Sequence, residues 1–221
     1  MKFKIYYLLM FFCSTSYAQI PKDFVYLIDI IPDIKIEMRY LSTNNFIGKP
    51  IEGYNANKLI LTKNAALSLI KVQEDLEATG YCLKVFDAYR PQRAVNYFMS
   101  WAKDLNDTIN KQVYYPNVKK KDLFKEGYIA SRSGHSRGST LDLTILNIKT
   151  GKDLNMGSPY DFFGTESWVK YEEISKKQKA NRQLLQSVMI KHGFINYPKE
   201  WWHFTLKEEP FPNTYFDFVV E

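Results

Sequence analysis

Ser133-Gly134-His135-Ser136-Arg137-Gly138-Ser139-Thr140-Leu141-Asp142-Leu143-Thr144-Ile145-Leu146-Asn147-Ile148 reads as a polar, glycine-hinged loop that runs into a strand. From Leu141 the alternation, partial but visible, puts Asp142 and Thr144 on one face and Leu141, Leu143 and Ile145 on the other. His135 and Asp142 lie seven residues apart, a separation that on one straight strand sends side chains to opposite faces. Both can approach one point only if the chain bends between them. Gly138, within the small polar run Ser136 to Thr140, supplies that bend, so a loop histidine is expected above an aspartate at the start of a strand.

Outward from this stretch, helices and strands mix without strict βαβ alternation. From Thr62 to Thr79 the apolar residues Ala65, Ala66, Leu69, Val72 and Leu76 recur at helical spacing, with Thr62 as N-cap and Gly80 as the stop. Tyr81 to Phe86 reads as a strand, and a helix is expected from Gln92 to Asp104, after Pro91. Lys119 to Gly127 is a short helix or loop, Lys119-Lys120-Lys121 a solvated one, and Thr150-Gly151-Lys152-Asp153 a turn. A long helix from about Glu172 to Lys191 is expected to end at His192-Gly193, and Trp202 to Leu206 closes as a strand. Asn45-Phe46-Ile47-Gly48-Lys49-Pro50 and Glu52-Gly53-Tyr54-Asn55 carry turn chemistry and suggest an extended surface arm. The fold class expected is α+β: a single domain over 19–221 with a small, mainly antiparallel sheet flanked by helices.

Composition bounds the class. The chain has 221 residues, 45% apolar and 24% charged, which fits a soluble globular domain. Lys2 and Lys4 precede an apolar run from Ile5 to Cys13, then Ser14-Thr15-Ser16 and Ala18. Residues 1–18 therefore read as a secretory signal peptide and the chain as an exported, periplasmic protein. The run is too short to span a bilayer, which takes ~20 residues, so no membrane span remains after signal removal. With Lys2 and Lys4 gone from the 30 basic residues, 28 face 24 acidic ones. That excess is too mild to argue for nucleic acid. Cys82 is then the one cysteine, which excludes an internal disulfide and suits a buried apolar position.

Three histidines occur, and two of them sit in useful company. A catalytic zinc site takes three protein ligands and leaves a fourth position open. His135, Asp142 and His203 supply such a set, one Zn2+ per chain. His192, in the last turn of a helix before Gly193, has a sufficient structural explanation in the helix dipole. Glu200, in Glu200-Trp201-Trp202-His203, is expected in the turn that opens the last strand, beside a metal-activated water whose pKa falls from ~15.7 to about 7. There it would act as base and then acid. Arg90, in Asp87-Ala88-Tyr89-Arg90-Pro91, is a fixed cation suited to a developing oxyanion, a role worth roughly 3–4 kcal/mol. Taken singly, each residue has a bland alternative: a loop histidine, a strand aspartate, a surface arginine. Trp201 and Trp202 suit core packing.

Several longer motifs then appear in order: Phe46-x-Gly48-Lys49-Pro50 with Gly53-Tyr54, Asp87-x-Tyr89-Arg90-Pro91, Ser133-x-His135 through Thr144, Met156-Gly157-x-x-x-Asp161-Phe162, Glu200-Trp201-Trp202-His203, and Glu209-Pro210 through Phe218. In these the chain resembles the D-alanyl-D-alanine dipeptidases over essentially its whole length after residue 18. The resemblance implies zinc on His135, Asp142 and His203, Glu200 as base and acid, and Arg90 as transition-state stabiliser. It further implies that Asp161 and Tyr40 meet the substrate's ammonium and that Ser133 helps hold its carboxylate. Gly134 departs from the family, which carries a small hydroxyl residue there, and 163–173 follows its pattern poorly. The partner implied is a small dipeptide, D-Ala-D-Ala or a near relative; oligomeric state stays open. Two alternatives stand beside this: a D,D-carboxypeptidase or endopeptidase acting on longer wall peptides, and a zinc-bearing wall-binding module without turnover.

Overall fold

The computed structural model describes residues 20–221, so the segment read as a signal peptide lies outside the described residues. In chain order the elements are β1 (Phe24–Tyr26), α1 (Leu27–Ile30), β2 (Lys35–Ile36), β3 (Ile60–Thr62), α2 (Lys63–Glu77), β4 (Tyr81–Asp87), α3 (Gln92–Lys103), α4 (Lys111–Tyr114), β5 (Thr140–Asn147), β6 (Lys152–Asp153), α5 (Lys176–Lys191), β7 (Phe194–Asn196) and β8 (His203–Leu206). The main sheet runs β2-β4-β5-β8-β7, with β6 beside β5. Only the β2–β4 pair is parallel, while β1 and β3 form a separate antiparallel pair. This is the α+β class expected.

Local sequence accounts for most boundaries. Thr62 caps α2 through its Oγ1, which accepts from the Ala65 N–H at 3.4 Å, and Gly80 takes the left-handed φ of +83° after its end. Ala65, Ala66, Leu69, Val72 and Leu76 are all buried, as their spacing predicts. Each large aliphatic among them contributes ~1.5–3 kcal/mol by leaving water. α5 begins at Lys176, four residues later than expected. There Ser175 and Gln178 form a reciprocal capping box, Gln178 N to Ser175 Oγ at 3.2 Å and Ser175 N to Gln178 Oε1 at 2.8 Å.

Two expectations fail for a shared reason, tertiary packing. The segment 45–54 is no surface arm: Asn45, Phe46, Ile47, Ile51 and Tyr54 are buried. Phe46 sits in an aromatic cluster with Phe98, Trp101 and Phe163, ring centroids 5.0–5.1 Å away. Asn45 satisfies the turn from inside, donating to the carbonyls of Ser42 and Lys49 at 2.7 and 2.8 Å. Nor is Lys120 solvated. Its stem is buried, its Nζ lies 4.0 Å from the centre of the Trp101 ring, and it donates to the Asp107 carbonyl.

The turn read at Thr150–Asp153 is shorter than expected, because Lys152 and Asp153 pair with Asn147 and Leu146 as β6, and the last strand opens at His203, one residue late. His192 Nε2 lies 2.6 Å from Asp75 Oδ2 and ties the end of α5 to α2. Cys82 is buried and unpaired, and Trp201 and Trp202 both pack in the core. The tail returns beneath the loop that carries His135: Phe216 N donates to Ser136 O at 2.8 Å, and Glu209 accepts from Arg137 at 2.7 and 2.8 Å.

Candidate active site

Three central strands bring the site together at one place on the sheet. In the β5–β8 register Asp142 stands directly opposite His203, so two of the candidate ligands are a cross-strand pair. The β4–β5 register slips at Phe86: Val85 faces Leu143, yet Asp87 faces Asp142. Such a bulge turns the strand end locally and sets a second carboxylate beside the first. His135 arrives from a single 3₁₀ turn, Gly134–Arg137, and Gly138 at φ +82° swings the chain from that turn into β5. A Cβ at Gly138 would lie 2.1 Å from the Phe24 ring, so only glycine fits this hinge. A Cβ at Gly134 would meet Thr140 Oγ1 at 2.7 Å; that hydroxyl already pairs with Thr205 Oγ1 at 2.8 Å.

The donor atoms converge. His203 Nδ1 lies 3.0 Å from Asp142 Oδ1, His135 Nε2 lies 3.2 Å from the same oxygen, and the two ring nitrogens are 3.3 Å apart. A tetrahedral cation with bonds of ~2.0–2.1 Å spaces its ligands ~3.3–3.4 Å apart, so the triangle fits such an ion closely. Tautomers agree. The Ala88 carbonyl, 2.7 Å from His135 Nδ1, can only accept, which puts the proton on Nδ1 and leaves Nε2 as a lone-pair donor. The second Asp142 oxygen is held from behind by the Tyr160 hydroxyl at 3.1 Å. These three residues can hold a metal.

Around them lies a cavity of about 270 Å³ lined by Tyr40, Phe46, Phe98, Tyr128, Phe163, Arg132, Ser133 and Tyr197 as well as the candidate polar groups. Glu200 sits in the turn before β8, as expected, with Oε2 3.4 Å from His203 Nδ1. Burial raises its carboxyl pKa to about 7, against the opposing pull of His203. Burial also acts upward on Asp142, but the two histidines win and hold its carboxyl far below the usual range. Arg90 is not a surface residue. Its Nη2 lies 2.8 Å from Asp87 Oδ2 and 3.5 Å from Asp142 Oδ2, with its side chain 12% exposed.

At the cavity's other wall Tyr40 donates to Asp161 Oδ2 at 2.9 Å. Asp161 is buried, and it is the one non-glycine among the described residues with positive φ, +61°. Burial, then the Asp142 charge, pushes its carboxyl well above the usual range, so an arriving cation would favour ionisation. Ser133 lines the cavity and caps the His135 turn, its Oγ accepting from His135 N at 3.3 Å. Every candidate site residue from the sequence thus falls on this one cavity. Asp87 and Tyr160 were not singled out. Asp87 is fully buried, accepts from Tyr54 Oη at 2.7 Å and lies 3.5 Å from His135 Nδ1. Its place three residues before Arg90 was the available signal.

Two imidazoles and a carboxylate at bonding distance from one point, with a half-buried glutamate alongside, have the donor set and the acid–base group of a metal-dependent hydrolase. Residues 21–221 match the family described as D-ala-D-ala dipeptidase, and the chain belongs to that family of peptidases. A D-alanyl-D-alanine dipeptidase of Enterococcus faecium is 42% identical over 90% of this chain and 98% of its own. One from Streptomyces coelicolor is 41% identical over the same shares. One from Escherichia coli is 30% identical, over 81% of this chain and 82% of its own. A solved LD-carboxypeptidase, LdcB, overlaps at a TM-score of 0.46 and 18% identity, over 85% of this chain and 70% of that one.

Proposed function

We propose that this chain hydrolyses the dipeptide D-Ala-D-Ala, or a near relative, with zinc held by His135, Asp142 and His203. The observation that carries the reading is the triangle of donor atoms 3.0–3.3 Å on a side with Glu200 3.4 Å from one corner. The activity named for the relatives at 41–42% identity supports the substrate. Zinc, when bound, supplies Lewis acidity to water and to the scissile carbonyl. Glu200 takes a proton from the attacking water and delivers it to the leaving amine, work that suits a carboxyl raised to about 7. Arg90, fixed on Asp87, offers its guanidinium to the developing oxyanion.

Selectivity follows from the far wall. Asp161 and Tyr40 receive the free ammonium, and Ser133 helps hold the carboxylate. A buried carboxylate that requires a cationic partner disfavours acylated or longer peptides, whose nitrogen at that position is a neutral amide. This weighs against the carboxypeptidase and endopeptidase readings. Glu200 and Arg90 weigh against a binding module, since holding a metal needs neither. The basic start and short apolar run of residues 1–18 support export to the periplasm.

The experiment compares rates on free D-Ala-D-Ala, its N-acetyl form and a wall pentapeptide, before and after chelation. Only the free dipeptide should be cleaved, with activity lost to chelator and restored by zinc. Equal rates on the acetylated form would overturn the reading.

A further inference from the structure

Arg182, on α5, is 2% exposed, and among the described residues its guanidinium meets no carboxylate. Instead it donates to three backbone carbonyls: Nε to Met156 at 2.5 Å, Nη1 to Trp168 at 2.8 Å and Nη2 to Glu166 at 2.7 Å. A cation buried without a counter-ion is costly, and burial lowers this one's pKa to about 10, which still leaves it charged at neutral pH. Its three acceptors lie at the two ends of one irregular segment, 156–168. Between them are Tyr160, Asp161 and Phe163, all of which reach the site.

The segment needs such a restraint. Asp161 holds φ at +61°, a region few non-glycine residues occupy, and such conformations persist only where the surroundings over-determine them. Gly157 approaches the clamp so closely that a Cβ would lie 2.7 Å from Ile174 Cγ2 and 3.3 Å from Arg182 Nη2. From the other side Ser167 Oγ donates to the Phe162 carbonyl at 2.6 Å, and Trp201 N donates to Ser167 O at 3.0 Å. The same segment is thereby tied to the turn that carries Glu200.

We infer that Arg182 is a positioning residue: by clamping both ends of 156–168 it fixes the Asp161 carboxylate where a substrate ammonium is received. The inference rests on the proposed role of Asp161 and extends it to a residue that touches no substrate. Lysine could keep the charge but could not span three carbonyls, whereas methionine loses both charge and donors.

Steady-state kinetics on D-Ala-D-Ala, with metal content and melting temperature, are compared for Asp161→Ala, Arg182→Lys, Arg182→Met and Ser167→Ala. Positioning predicts that Arg182→Met raises KM about tenfold or more, roughly 1.4 kcal/mol of binding, with kcat within about threefold and metal content unchanged. Arg182→Lys should recover part of that rise. A purely structural role lowers melting and the active fraction, hence kcat, and leaves KM alone; that result overturns the inference. If Asp161→Ala itself leaves KM unchanged, the ammonium reading fails instead, which separates the two. Should Arg182→Met not fold, Arg182→Lys and Ser167→Ala carry the test, each with a raised KM expected and an unchanged one refuting.

Discussion

Replacing Asp87 by asparagine probes how the site keeps two carboxylates and a guanidinium buried together. Asp87 is fully buried and contacts Arg90 twice, through Nε at 2.9 Å and Nη2 at 2.8 Å. Neutralising it leaves Arg90 with Asp142 as its nearest anion, 3.5 Å away. Breaking one side of a buried pair costs about 3–5 kcal/mol, because the surviving charge stays desolvated. At ~2–4 °C per kcal/mol for a domain of this size, the melting temperature should fall by about 6–20 °C. Arg90 should also be drawn toward Asp142, away from the position proposed for the oxyanion, and kcat should fall with it.

The assay is a double-mutant cycle with Asp87→Asn and Arg90→Met, followed by urea unfolding and kcat/KM. The double variant buries no lone charge, so it should be more stable than the sum of the single losses predicts, by about 1–3 kcal/mol. Additive losses would show that the two groups do not depend on each other, and the account of Arg90 as a cation fixed by Asp87 would fall.

Other outcomes follow from the same geometry. Glu200→Gln should keep the metal and lose about 10²–10⁴ in kcat, read by metal analysis beside steady-state rates; retained turnover would remove the proposed base. Chelation should lower the melting temperature of the unaltered protein, as loss of a native-state ligand does, but leave His135→Ala unmoved; equal shifts would place the metal elsewhere. In metal-free protein Asp161→Asn should be stabilising at pH 7. A carboxyl raised above its ordinary value favours the folded state below that value and loses the advantage as pH rises through its folded pKa. The stabilisation should therefore vanish near pH 3, and melts that show no such pH dependence would contradict the burial of that charge.

Some of this was legible without coordinates because it depends on neighbours in sequence. The capped helix from Lys63, the strand after it at Tyr81 and the glycine hinge at Gly138 follow from spacing, capping and backbone freedom. The convergence of His135, Asp142 and His203 as a candidate metal site was legible for a related reason, since one bend between His135 and Asp142 suffices and both motifs hold rare residues. What only the tertiary structure decided is what contacts between distant segments set. Phe46 and Ile47 look like turn residues until α3 and the 156–168 segment bury them, and Lys120 looks solvated until Trp101 lies over it. Asp87 joins the site only through the slip in register at Phe86, and Asp142 meets His203 only because β5 and β8 pair in one particular alignment. Sequence records which groups are available and how the nearby chain bends. Strand register and buried charge pairing are properties of the closed core, where one residue of slippage would turn every side chain to the opposite face.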